Sequence, residues 1–117
     1  MSKNAGQLLV FSTVEDAATA RRLADSLVGG GLAACVNILP PVTSVFRWEP
    51  DAAAASDAAV QAEQEVMLIA KTSAAAYPAL ERQLRDEHPY ELPEIVAVPI
   101  SRGLPGFLQW IDATTHP

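Results

Sequence analysis

An α+β sandwich is the fold class this sequence predicts, and three observations predict it. Apolar runs with strand character alternate with amphipathic helical stretches in the order β-α-β, β-α-β. The two halves echo each other, each running from strand to helix to a stop and then to a strand closed by proline. The chain has 117 residues, half of them apolar, so residues 1–117 make one domain that can build a hydrophobic core without staples.

Each element has its own signal. Residues 7–12 (QLLVFS) are short, apolar on both parities and rich in β-formers, which predicts a buried strand. Thr13 is placed to cap a helix over 14–28, with Glu15 and Asp16 in its first turn, where the helix dipole favours acids. Ala17, Ala20, Leu23, Ala24, Leu27 and Val28 form the stripe it buries, and Gly29-Gly30-Gly31 stops it. A strand over 33–39 ends at Pro40-Pro41, and 43–49 (TSVFRWE) reads as extended. The alanine-rich stretch 50–64 has no strand character and predicts an exposed loop, with a helical turn or two after Ser56.

The second half repeats the scheme. Residues 65–71 (EVMLIAK) predict a third strand, and Thr72 and Ser73 offer caps for a helix over 74–87. Pro78 falls near its first turn, where proline is tolerated, and Tyr77, Leu80 and Leu84 make its buried stripe. His88-Pro89 ends this helix, because the residue before proline avoids the α region. Residues 94–100 (EIVAVPI) are the fourth core strand, and a short amphipathic helix over 105–112 closes the chain. The whole pattern is the split βαβ of a ferredoxin-like sandwich, an antiparallel four-stranded core sheet with both helices on one face.

Composition narrows the function classes. A net charge of -6 with scattered basic residues argues against a nucleic-acid partner. The run LLVFS is too brief for a signal-peptide core or a membrane span, so the expectation is a cytoplasmic protein with no membrane partner. One cysteine allows no internal disulfide and no zinc site built from cysteines of one chain. GxSxG, Walker and GxGxxG motifs are absent, and the glycine triplet ends a helix rather than opening one, which argues against an enzyme.

The strands also predict assembly. Val66, Leu68 and Ala70 point one way and Met67 and Ile69 the other, while Ile95 and Ala97 oppose Val96, Val98 and Ile100. Two helices cover one face of a four-stranded sheet, so the other needs a cover. A further copy of the chain is the simplest one, and the tail helix is the local alternative.

The stretches GLAACVNILPPVTSVFRWE (31–49), EVMLIAKT (65–72) and HPYELPEIVAVPI (88–100) together resemble the CutA divalent-cation tolerance family. STVEDAATARRLADSLV and GLPGFLQWI resemble its first and closing helices, so the likeness spans nearly the whole chain. The resemblance implies a cytosolic, PII-like homotrimer in which a long hairpin between the second and third core strands, here 43–71, reaches a neighbouring subunit. It also implies an association with divalent metal ions, chiefly copper, as a cofactor or cargo. The chain departs from the family at the hairpin tip, where Pro50 follows Glu49 and the alanine-rich insert replaces a short Gly- and Lys-containing turn. Added loop length costs little entropy, so the fold is not threatened.

The chemical candidates cluster around HPYELPE and the second strand. Cys35, at the family's cysteine position, is a soft ligand suited to copper, though a lone strand cysteine is more often a small buried hydrophobe. His88 and Glu91 add an imidazole and a carboxylate, but no HxxxH spacing exists, so copies would have to complete a metal site. Trp48, Lys71 and Tyr90 resemble the lining of the family's intersubunit cleft, with interface packing as the plainer role. Asn37 in mid-strand calls for a hydrogen-bond partner if it is buried, and a structural hydrogen bond is its expected role. Three functions follow from these readings: divalent-metal tolerance, a signalling module binding a small molecule at intersubunit clefts, and a non-catalytic trimeric scaffold presenting the hairpin tip.

Overall fold

The computed structural model describes residues 6–49 and 51–117. The polar start 1–5 and Pro50, the first residue of the predicted insert loop, lie outside the described residues. The elements in chain order are β1 (Gln7–Val14), α1 (Ala17–Gly29), β2 (Cys35–Ile38), β3 (Val42–Arg47), a 3-10 helix (Ala52–Asp57), β4 (Val60–Ser73), α2 (Tyr77–Glu87), β5 (Val96–Pro99) and α3 (Pro105–Thr114).

The sheet runs β2-β4-β1-β5, every pair antiparallel, and β3 pairs with the outer part of β4 as a two-stranded ribbon. α1 crosses over β4 to join β1 to β2, and α2 crosses over β1 to join β4 to β5. That interleaving is the ferredoxin-like split βαβ which the element order predicts.

The register sorts the strands into two faces. Val10, Val66, Leu68 and Ala70 are buried beneath Leu23, Leu27, Leu80 and Leu84 of the helices, and Ala97 packs against the same core. The helices lock to each other through Ser26: Gln83 Nε2 donates to its hydroxyl at 2.7 Å, and the hydroxyl donates to Glu87 Oε2 at 3.0 Å. The opposite face carries Leu9, Phe11, Met67, Ile69, Val96 and Val98, with Val96 52% and Val98 45% exposed.

α3 covers one end of that second face. Ile111 is fully buried there, Gln7 Nε2 donates to Asp112 Oδ2 at 3.0 Å, and Thr115 Oγ1 bonds Ser73 Oγ at 2.8 Å. The chain end is then pinned by the His116 N–H, which donates to Gly31 O at 2.9 Å. Gly31 has a φ of 73°, and a Cβ at that position would collide with the His116 imidazole. The left-handed φ is what favours glycine here, since the exposed His116 ring could turn away from a Cβ.

Several boundaries depart from the predicted ones, each for a physical reason. Thr13 is not the cap of α1: β1 continues through Val14 because Thr13 and Val14 pair with Met67 and Val66 of the long β4. The cap is Asp16, whose Oδ1 accepts from the Thr19 N–H at 2.7 Å, and this bond lowers its carboxyl pKa. Of the predicted helix stripe, Ala17 and Val28 are exposed, at the two ends where α1 leaves the sheet. Thr72 and Ser73 belong to β4, so α2 starts at Tyr77, with proline in its first turn as expected. The Thr72 hydroxyl donates to Leu32 O at 2.6 Å, and Ser73 Oγ accepts from the Ala76 N–H at 3.2 Å.

The insert is more regular than a loop. Its alanines wind into the 3-10 helix, which ends just past Ser56 rather than starting there, capped by Asp51, whose Oδ1 accepts from the Ala53 N–H at 3.0 Å, and Val60 already enters β4. Arg47 ties the tip back by donating to Ser56 O at 3.1 Å.

Candidate functional site

The sequence-predicted residues fall in two places. The first is the corner where HPYELPE leaves α2. His88 is the C-cap of that helix, and its N–H donates to Leu84 O at 2.9 Å. Its ring is buried against the end of β1, with Nε2 3.0 Å from Thr13 O. The Tyr90 N–H donates to its Nδ1 at 3.1 Å. A carbonyl on one side and an N–H on the other define the ring: Nδ1 is bare, Nε2 carries the proton, and the imidazole is neutral. Burial pushes the His88 pKa below 6.5 and Arg22 adds to this, while the Thr13 carbonyl and Glu65 pull the other way. The imidazolium that a helix C-terminus would favour is therefore not the resident form.

Tyr90 stacks obliquely on His88, ring centroids 4.8 Å apart, and its hydroxyl donates to Glu65 Oε2 at 3.0 Å. Burial, the Glu65 bond and the charges of Glu65, Glu15 and Glu63 push the phenol up to about 12. Glu65 sits at the inner end of the ribbon, so this corner buttresses the base of the β3–β4 arm. Glu91 is exposed, as is Trp48, which follows β3 at the outer end of that arm.

The second place is the helix-free face. Cys35 lies directly opposite Lys71, which in turn lies opposite Leu9, and Leu9 opposite Val98. The next row on the same face is Asn37, Ile69, Phe11 and Val96. The Lys71 ammonium reaches diagonally across to donate to Asn37 Oδ1 at 2.6 Å. Asn37 is exposed, so this bond is not one that burial demanded.

These arrangements bear directly on metal. Among the described residues, no three His, Cys, Asp or Glu side chains converge on a point that could hold an ion. Cys35 has an ammonium for its cross-strand neighbour, and both His88 nitrogens are engaged by the backbone. The described side chains of a single chain therefore do not form a metal cage. Cys35, His88 and Glu91 are not brought together, and no hydrogen bond links Trp48, Lys71 and Tyr90 among the described residues. Glu65 and the Thr13 carbonyl belong to the corner without having been singled out. Glu65 was visible only as a strand-leading acid, and a backbone carbonyl leaves no trace in sequence.

The architecture defines a ferredoxin-like α+β protein with an arm and a helix-free sheet face. Residues 8–114 match the model of the CutA1 divalent ion tolerance proteins, and the chain belongs to that family. It is 40% identical over 107 residues to the divalent-cation tolerance protein CutA of Thermus thermophilus, covering 92% of this chain and 96% of that protein. It is 35% identical to the chloroplastic protein CutA of Arabidopsis thaliana over 98% of its own length, and spans 59% of that relative's length. Crystalline CutA1 from Oryza sativa superposes with a TM-score of 0.85 at 35% identity, covering 98% of each chain.

Proposed function

We propose that this chain is a non-enzymatic, cytoplasmic homotrimer that binds divalent metal ions, copper foremost, in a tolerance role. The helix-free face carries the reading. Val96 and Val98 stand about half exposed beside Phe11 and Ile69, and Leu104, Phe107 and Trp110 of the α3 region extend the apolar surface. A surface of that character in a soluble protein marks an interface, and a further copy of the chain meets it symmetrically. Metal association is supported by membership of the divalent ion tolerance family. Because one chain supplies isolated donors, the ion would be met where copies adjoin, with Cys35, His88 and Glu91 as the residues to test. His88 would have to release the Tyr90 N–H to take part.

Two measurements test this. Native mass spectrometry should give three times the chain mass. Calorimetric copper titration should give a stoichiometry that falls in Cys35→Ser or Glu91→Gln. A monomeric mass would remove the assembly, and unchanged binding in Cys35→Ser, Glu91→Gln and His88→Gln would remove these ligands. A second reading, a small-molecule module with Trp48, Lys71 and Tyr90 lining an intersubunit cleft, is favoured by the Lys71 ammonium, which is hydrogen-bonded to an amide and, among the described residues, to no carboxylate.

A further inference from the structure

We propose that the β3–β4 arm is hinged between Glu65 and Val66, and that the Tyr90 hydroxyl latches it and fixes the direction in which it leaves the sheet. Hinge and latch are features of one chain and need neither a metal nor a small molecule.

The joint falls where the ladders end. β1 accompanies β4 only as far as the Val14–Val66 pair. On the other side β2 accompanies it to the Ile38–Leu68 pair, after which the Leu39 N–H donates to Met67 O at 3.0 Å. Pro40 and Pro41 follow, and neither has an N–H with which to continue the ladder. β3 then starts at the Val42–Glu65 pair. Past Val66, β4 is therefore paired with β3 alone, and a two-stranded ribbon is marginal on its own. From Glu65 out to Val60 the overhang is about 20 Å at the rise of a strand. On a lever of that length a swing of about 15° carries the outer end through about 5 Å.

A chain of hydrogen bonds spans this joint. It begins at the end of β1, where His88 Nε2 donates to Thr13 O at 3.0 Å. His88 Nδ1 accepts from the Tyr90 N–H at 3.1 Å, and the two rings lie 4.8 Å apart. The Tyr90 hydroxyl completes the chain by donating to Glu65 Oε2 at 3.0 Å. Among the described residues, this is the one side-chain hydrogen bond that passes from the body to the arm. Its body end is firm, because His88 is buried and also caps α2. Its arm end is Glu65, the first residue past the joint, whose side chain stands off the ribbon so that holding it resists tilt. A phenol donating to a carboxylate makes a charge-assisted bond, and this one is partly buried. HPYELPE is thus an arm-positioning segment, with Tyr90 as its positioning residue.

The spread of one distance in the full-length protein tests this. Spin labels are placed at Gln61→Cys on the arm and Asp25→Cys on α1, both exposed, in a Cys35→Ser background. Labelled chain is refolded with an excess of unlabelled chain, so that pulsed electron resonance reads distances within single chains. A second pair, Asp25→Cys with Gln109→Cys, reports on the body. Tyr90→Phe keeps the ring on His88 and removes only the latching hydroxyl. It should broaden the arm distribution by about 4 Å and leave the body pair unchanged. Glu65→Ala, which breaks the bond from its other end, should do the same, whereas Glu65→Gln, whose amide oxygen still accepts, should keep the distribution narrow. An unchanged arm distribution in Tyr90→Phe or in Glu65→Ala would mean that something else holds the arm, a neighbouring copy included, and overturns the proposal. Equal broadening of both pairs would mean a loosened core rather than a released arm and overturns it too, as does a Glu65→Gln distribution as broad as that of Glu65→Ala. No metal or small molecule is added, so the outcome is independent of both functional readings.

Discussion

The two faces of the sheet are built from the same strands and finished differently. On the covered face, Val10, Val66, Leu68 and Ala70 are at most 4% exposed, sealed by α1 and α2. On the free face, Val96 and Val98 are about half exposed, and Lys71, Asn37 and Cys35 stand among them. Alternation along a strand gives both faces apolar residues, yet the chain supplies helices for one. The covered face carries the stability of a single chain. The free face is left half open, with Lys71, Asn37 and Cys35 on it.

The largest expected effect breaks the covered face. Leu80 is fully buried in α2, so Leu80→Ala should cost about 2–5 kcal/mol in denaturant unfolding while leaving the assembled mass unchanged. The counterpart on the free face is Val98→Asp. A carboxylate at an exposed position is tolerated by a lone chain and intolerable at an apolar interface, so native mass should shift toward monomer. An unaltered mass would mean that this face is not where copies meet.

A smaller effect tests the corner that joins the faces, where His88 holds the end of β1. In the unfolded chain His88 titrates near its ordinary 6.5, and in the fold burial keeps its pKa lower. Above 6.5 both states are neutral and the group gives no pH dependence. As pH falls below 6.5 the unfolded chain takes up a proton that the native state refuses, so stability falls until the folded pKa is reached. Urea midpoints measured from pH 7.5 down to about 5, above the carboxylate range, should decline, and His88→Gln should flatten the slope. At the alkaline end, Tyr77 and Tyr90 are both pushed up to about 12, each by burial and then by a carboxylate partner. Absorbance of the native protein at 295 nm should therefore show no tyrosine step near pH 10.

Much of this contrast was legible in the sequence. The glycine stop, the prolines that bound α2 and β5, and the two-faced strands all follow from local chemistry. What escaped depended on distant partners. The start of α1 was misplaced because Thr13 is claimed by Met67 across the sheet. The outer part of β4, residues 60–64, looked like loop because both sides of the ribbon are exposed there, and a strand without a buried face has no hydrophobic period to read. The candidate residues were visible as types but not as groups. Lys71 and Asn37 become neighbours only once the β2–β4 register is known, and the neutral state of His88 follows from a carbonyl 75 residues away.

The smallest predicted effect sharpens the comparison by testing whether the covered face is as purely structural as it looks. Ser12 lies there, 2% exposed between Val10 and Val14, and its hydroxyl is buried without a hydrogen-bond partner among the described residues. An unsatisfied buried hydroxyl costs free energy, and removing it should recover part of that cost. Ser12→Ala keeps the Cβ, deletes one small atom and opens little space, so the loss of packing is slight. The net change should lie between neutral and about 1 kcal/mol of stabilisation, seen as a higher urea midpoint at unchanged slope. A loss above about 1 kcal/mol would mean that the hydroxyl has a partner in solution, such as a buried water. The covered face would then hold a polar contact, and the division between a structural face and a chemical one would be less complete than the side chains suggest.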